Sequence, residues 1–182
     1  MSHTRIRAVD AALTLLGTEG IHALTHGRVD AAAGLPKGSA SNHFRTRAAL
    51  IRGVVERLEE KDREIWATLY DVSLADDGHL AEALTGYVTA ATTTYRVLTS
   101  ARYALAVEGA HNPEVGASLA RGAEALHRWT ARIARDLGAP DPEAATRTLT
   151  AYVDGLVMRG LTRPDLAEPP AQVLRVVRAC LR

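Results

Sequence analysis

Residues 37–43 read Lys-Gly-Ser-Ala-Ser-Asn-His, a run of short side chains that donate or accept hydrogen bonds. Groups of this kind suit the edges of DNA bases. An Asn amide pairs with adenine through two hydrogen bonds, and Lys or His reaches the acceptors of guanine or a phosphate. Asn42, His43, Ser39 and Ser41 are the candidates for such contacts. Gly38 would let the backbone approach a phosphate and expose the N–H groups of a helix start. Lys37 and Arg47 bracket the run with positive charge, and Arg28 precedes it. Thr25 stands at a helix start, a position suited to a phosphate. The same residues have a plainer reading: Thr25, Ser39 and Thr46 as helix caps, Asn42 and His43 as residues that close a helix.

Covalent or metal chemistry finds no foothold. Cys180 is the only cysteine, so a disulfide framework and a Cys-based zinc site are both excluded. His111 is followed by Asn-Pro-Glu rather than by Glu-x-x-His. No Gly-x-Ser-x-Gly elbow and no Gly-x-x-x-x-Gly-Lys loop occurs. No catalytic residue, metal ligand or cofactor is therefore expected, and an enzyme is the least favoured class.

The elements that must carry the polar run follow from composition and period. The chain has 182 residues, 47% of them hydrophobic and 24% charged, an ordinary globular balance. Thirty-three alanines favour helix throughout. Net charge is only +1, but residues 1–52 carry seven basic against three acidic side chains, a net +4. The rest carries 15 basic and 18 acidic, a net −3. A basic segment on an acidic body suggests a polyanion-binding module. No run approaches the roughly 18 apolar residues of a membrane span. No secretory signal is read at the start, so a cytoplasmic protein is expected.

Ile6, Val9, Leu13 and Leu16 mark a first helix, with Thr4 as its cap and Gly17 and Gly20 as stop signals. A second runs from Thr25 to Ala33, and Gly34-Leu35-Pro36 turns the chain. Pro36 suits the first turn of a third helix, Lys37 to His43 or Phe44. Helix, glycine turn, helix is the helix-turn-helix layout. Thr46 caps a long fourth helix with Leu50, Val54, Leu58, Ile65 and Leu69 on one stripe. Its charge run, Glu56 to Glu64, reads as a solvated face. Further helices are expected at 80–97, 100–110, 114–137, 142–161 and from Pro169-Pro170 to 181. Gly138 and Asp141-Pro142 punctuate them. The expectation is all-α, about nine helices.

Residues 6–51 resemble the DNA-binding domain of the TetR family of bacterial transcriptional regulators. The resemblance rests on Gly20, Leu24-Thr25, Ala33-Gly34-Leu35, Gly38-Ser39, His43-Phe44, Arg47 and Leu50. It implies an N-terminal three-helix helix-turn-helix domain over residues 1–46. Residues 47–182 would then form a helical ligand-binding and dimerisation domain. The chain departs from the family pattern at three places. Ser41 stands where a tyrosine is usual, which removes a common phosphate or base contact. Asp30 stands where a small alanine is usual, either facing solvent or capping a local donor. Gly27 replaces a residue that is often polar or basic.

The resemblance further implies a homodimer through the last two helices. Leu149, Val153, Leu156, Val157, Val173, Val176 and Val177 are the apolar residues those helices offer. It implies a small-molecule pocket in the helical body, where Trp66, Tyr70, Tyr87, Tyr103, Glu108, His111, Trp129 and Tyr152 are candidate contacts. The expected protein is a ligand-responsive repressor that binds a palindromic operator on double-stranded DNA and is released by a small molecule of unread identity. A ligand-insensitive DNA-binding protein is the alternative.

Overall fold

Chain breakers and caps in the sequence set most of the element boundaries. The computed structural model describes residues 2–69, 75–166 and 168–182, and the side chains of all of these except 66–69 and 166. The helices among them are α1 His3–Glu19, α2 His26–Ala32, α3 Ser39–His43, α4 Arg47–Leu69 and α5 Asp77–Thr92. They continue with α6 Arg96–His111, α7 Pro113–Asp136, α8 Pro142–Thr162 and α9 Pro170–Cys180. No strand occurs among the described residues, as the composition predicts. Thr46 caps α4 through Oγ1, which accepts from Ala49 N–H at 3.0 Å. Asp141 caps α8 by accepting from Ala144 N–H at 2.9 Å.

Several boundaries differ from the sequence reading, among them the start of α6, at Arg96 rather than at 100. At α1 the cap is Ser2, whose hydroxyl accepts from Arg5 N–H, and Thr4 lies inside the helix. Gly17 is not a stop: α1 runs on to Glu19. Gly17 serves close approach, since a methyl there would stand 2.1 Å from the Val97 carbonyl oxygen. Helix α5 ends at Thr92 rather than at 97. The Thr92 and Thr93 hydroxyls turn back onto the carbonyls of Val88 and Thr89, at 2.8 and 2.7 Å. Such back-bonding competes with the helix ladder.

The chain forms two compact units. The first comprises Met1–Leu69 and Val97–Gly122, the second Tyr70–Arg96 and Ala123–Arg182. In the first, α1 buries Val9, Leu13 and Leu16, and α4 buries Leu50, Ile51, Val54, Val55 and Leu58. Leu24, Val29, Ala40 and Phe44 of the helix-turn-helix join this core, with Ala101, Leu105 and Val115 from α6 and α7. The charge run of α4 is not wholly solvated. Arg57 donates to Asp10 of α1 through Nε at 2.8 Å and Nη2 at 3.3 Å, and to Glu60 at 2.9 Å. Asp62 accepts from Arg102 of α6. Leu69 of the expected apolar stripe lies outside the described side chains.

In the second unit α5 packs against both α8 and α9. Leu80, Ala81, Ala134, Leu149, Leu156, Val173 and Val177 form its core. The side chains expected at a dimer face are used here. Leu149, Val153, Leu156, Val157, Val173 and Val177 are all buried within the single chain, and Val176 is half-buried. Among the residues α8 leaves exposed, Thr148, Ala151, Gly155 and Met158 form one stripe, flanked by the exposed Arg147, Asp154 and Arg159.

Candidate nucleic-acid interface

Helix α2 opens at Thr25, whose hydroxyl accepts from Arg28 N–H at 3.4 Å, and it buries Val29 and Asp30. The turn after it is closed by Leu35 N–H donating to the Asp30 carbonyl at 2.9 Å. Arg7 of α1 adds a bond from its guanidinium to the Ala33 carbonyl at 2.6 Å. Helix α3 starts at Ser39, two residues later than the sequence suggests. Pro36 therefore sits in the turn, accepting from Ser39 N–H at 3.1 Å, and not in the first helical turn. The cause is Gly38. Its φ of +93° is left-handed, a conformation open to glycine and strained for other residues, and it forms the N-cap.

Gly38 has no side chain to satisfy the helix start. The acceptor comes from α2 instead. Asp30 Oδ2 takes Gly38 N–H and Asp30 Oδ1 takes Ala40 N–H, each at 2.7 Å. The two expectations for Asp30 are thus decided: it is 4% exposed and caps a neighbouring helix. The far end of α3 is held from the same helix. His26 Nε2–H donates to the carbonyl of Phe44, the C-cap residue, at 2.5 Å. Phe44 itself is buried, with the Arg5 guanidinium 5.2 Å from its ring centroid.

This frame presents Lys37, Ser41, Asn42 and His43 outward, all exposed, with Arg45, Thr46 and Arg47 continuing the exposed stretch. Ser39 is half-buried and its hydroxyl donates to the Pro36 carbonyl at 2.6 Å. The Ser41 hydroxyl donates to the Gly38 carbonyl at 2.9 Å. Both hydroxyl protons are therefore engaged locally. No protein partner is seen for the Lys37 ammonium or the Asn42 amide among the described residues. The exposed Arg28 pairs with Glu19, and Arg47 donates to the Ile21 carbonyl at 3.0 Å. The Gly38 amide, expected to face phosphate, is taken by Asp30.

The candidates for a small-molecule site fall in both units. Tyr87, Trp129 and Tyr152 are half-buried in the second; Tyr103 and Glu108 are half-buried in the first, where His111 is exposed at the end of α6. The side chain of Trp66 and the whole of Tyr70 lie outside the described residues. Tyr152 stands out chemically. Its hydroxyl is buried without a hydrogen-bond partner among the described residues. Burial, with a smaller push from the Glu168 carboxylate, raises it above the ordinary phenol range.

The sequence reading missed Asp30 and His26 as a pair, although they sit at i and i+4 on one helix face. It also missed Arg7. The i, i+4 spacing was visible; what the pair reaches was not.

The described residues contain no helix long and apolar enough to cross a membrane. Two family models match the chain. One, for bacterial regulatory proteins of the tetR family, covers residues 8–54. The other, for the tetracyclin repressor-like C-terminal domain, covers residues 75–182. No curated protein matches the sequence. Among solved structures, a TetR-family member from Streptomyces coelicolor A3 is similar with a TM-score of 0.76 at 24% identity, covering 100% of this chain and 99% of that one. The multidrug binding protein EbrR, complexed with ethidium, gives 0.76 at 24% identity over 99% of both chains. A transcriptional regulator from Rhodococcus sp. Rha1 gives 0.77 at 21% identity over 97% and 93%. At these identities the structures speak for the fold alone. The family model over residues 75–182 spans more than half of the sequence, and with the helix-turn-helix matched as well, the chain belongs to the TetR family of bacterial transcriptional regulators.

Proposed function

We propose that this regulator is a repressor that binds a palindromic operator as a homodimer and releases it when a small molecule binds. Residues 1–46 would make the DNA contacts, and residues 47–182 would sense and dimerise. The observation that carries the DNA part is the exposure of Asn42 and His43 on a helix held at both of its ends, with Lys37 exposed in the turn just before it. Asn42 and His43 read base edges in the major groove, and Lys37 meets phosphate. Thr25 and Arg28 at the start of α2, with Arg47 just beyond at the start of α4, add backbone contacts, and Ser39, Ser41 and Gly38 shape the approach.

Two-fold symmetry places two α3 helices in successive major grooves. The exposed α8 stripe supports a dimer there. Ala151 and Gly155 are small enough to let a second helix approach closely, and Met158, 41% exposed, is an adaptable apolar contact. A methyl at Gly155 would meet nothing within 4 Å among the described residues.

A small-molecule effector is supported by Tyr152, whose buried, unpaired hydroxyl has hydrogen-bonding capacity left for a ligand. EbrR, similar in fold, has been solved with ethidium and with imidazole. Tyr87 and Trp129 supply further aromatic surface in the same unit, and Tyr103, Glu108 and His111 stay candidates in the other. The ligand must bind the DNA-incompetent state better, with a coupling of about 1–3 kcal/mol.

The test is fluorescence anisotropy with the DNA upstream of the protein's own gene, at two salt concentrations, followed by a ligand screen. Tight binding that wild type shows and Asn42→Ala loses establishes sequence reading. Binding that no small molecule weakens would remove the ligand part and leave a ligand-insensitive regulator.

A further inference from the structure

We propose that Asp30 is a positioning residue for sequence-specific DNA binding: it sets the register of α3 against the bases without touching them. The inference rests on the DNA-binding reading above and deepens it. Helix α3 has five residues. A helix that short does not hold itself in water, because nucleation fixes several residues for few hydrogen bonds. Its own N-cap cannot help, since Gly38 has no side-chain acceptor. A capping side chain normally accepts from the second or third N–H of the helix. Ala40 holds the second, and Asp30 Oδ1 accepts it at 2.7 Å from a different helix. Asp30 Oδ2 takes the Gly38 amide as well, so one carboxylate bridges two amides through charge-assisted bonds.

The second anchor is on the same face of α2. His26, one turn before Asp30, bonds the carbonyl at the other end of α3. Two fixed points along one short helix set its position along its axis and its rotation about that axis. Those two quantities decide which base edges Asn42 and His43 meet. The carboxylate adds no attraction for DNA, because it is buried and negative, and it withholds two amides from any phosphate. Its effect on binding therefore runs through the geometry of α3. Loss of Asp30 leaves α3 ordered only part of the time, and apparent affinity falls by the ordered fraction. The non-specific, salt-dependent affinity is set by the cationic side chains and stays.

The test uses the full-length protein and a duplex recovered from random-sequence DNA by selection on wild type, with a scrambled duplex of equal length beside it. Asp30→Asn keeps the shape and one acceptor; Asp30→Ala removes both. The expected result is a loss of specific affinity of roughly tenfold or more for Asp30→Ala and a smaller loss for Asp30→Asn. Affinity for the scrambled duplex and the salt slope stay at wild-type values. Amide exchange at Gly38 and Ala40 speeds up in both variants, whereas Asn42→Ala loses specific binding with those amides still protected. Two results would overturn the proposal. One is Asp30→Asn and Asp30→Ala both binding the selected duplex as wild type does. The other is specific and scrambled affinities falling together with the melting temperature, which would mean a role in stability alone. If selection on wild type recovers no sequence, the DNA-reading role itself has failed, and protection of the two amides still reports whether the Asp30 bonds exist.

Discussion

Phe44 lies against the backbone of Gly53, and a methyl on Gly53 would stand 2.5 Å from Phe44 Cε1 and 3.1 Å from Cζ. The aromatic ring that closes α3 is thus seated in a notch of α4. Gly53→Ala sets two effects against each other. Alanine in a helix interior gains about 1 kcal/mol over glycine, and overpacking a filled core loses about 1–3 kcal/mol. Phe44 is 3% exposed and has little room to retreat, so overpacking wins. The variant should melt earlier and bind DNA more weakly. Gly122→Ala is the comparison, since a methyl there meets nothing within 4 Å, and it should gain a few tenths of a kcal/mol up to about 1. Gly53→Ala as stable as wild type would show that Phe44 is not held by this notch.

Gly38→Ala should also destabilise, for a different reason. The new methyl has space, with the Ser41 hydroxyl 3.9 Å away. The loss comes from the left-handed backbone and is about 1–2 kcal/mol. Chemical denaturation of Gly38→Ala beside Gly38→Asn separates strain from packing, because asparagine tolerates this conformation better. Equal losses for both would argue against strain as the cause.

Lys37 and Asn42 should fail in different ways. Lys37→Ala should weaken binding to all duplexes and reduce the salt slope by about one. Asn42→Ala should cost about 1–3 kcal/mol of discrimination and leave the slope alone. An unchanged slope for Lys37→Ala would remove its phosphate contact.

Asp76 should give α5 a dependence on acid. Its carboxylate accepts from His79 N–H at 2.9 Å and from the His79 ring at 2.8 Å. The backbone bond, then the ring bond, hold the carboxyl below its usual range. A depressed carboxyl stabilises the folded state above its unfolded value, about pH 4, and that contribution is lost as pH falls through the lower folded value. The chemical shift of the His79 amide proton should therefore follow the protonation of Asp76, with its midpoint below the ordinary aspartate range. An ordinary midpoint would mean the cap is not formed in solution.

The α8 stripe should tolerate no charge. Gly155→Glu puts a carboxylate where a second helix is proposed to lie. Sedimentation should show the variant as a monomer with the helical content of wild type. A persistent dimer would move the interface elsewhere.

Much of this protein is legible in its sequence because the signals are local. Thr25, Gly20, Thr46, Asp141 and Gly138 each mark a helix end through bonds to residues three or four away, and such bonds need no knowledge of the fold. The apolar periods of α1 and α4 likewise point to their buried faces. The exposed polar run from Lys37 to His43 is visible for the same reason: it is contiguous. The tertiary structure decided whatever depends on partners distant in the chain. Gly17 reads as a stop until the Val97 carbonyl is seen against it. The valines and leucines of α8 and α9 read as a surface for a second subunit until α5 is found packed on them. Asp30 was open between solvent and cap, and its choice depends on a glycine turn bringing Gly38 and Ala40 within 2.7 Å. Periodicity reveals which side of a helix is apolar. What that side meets is set by packing, and packing is settled only when the whole chain has closed on itself.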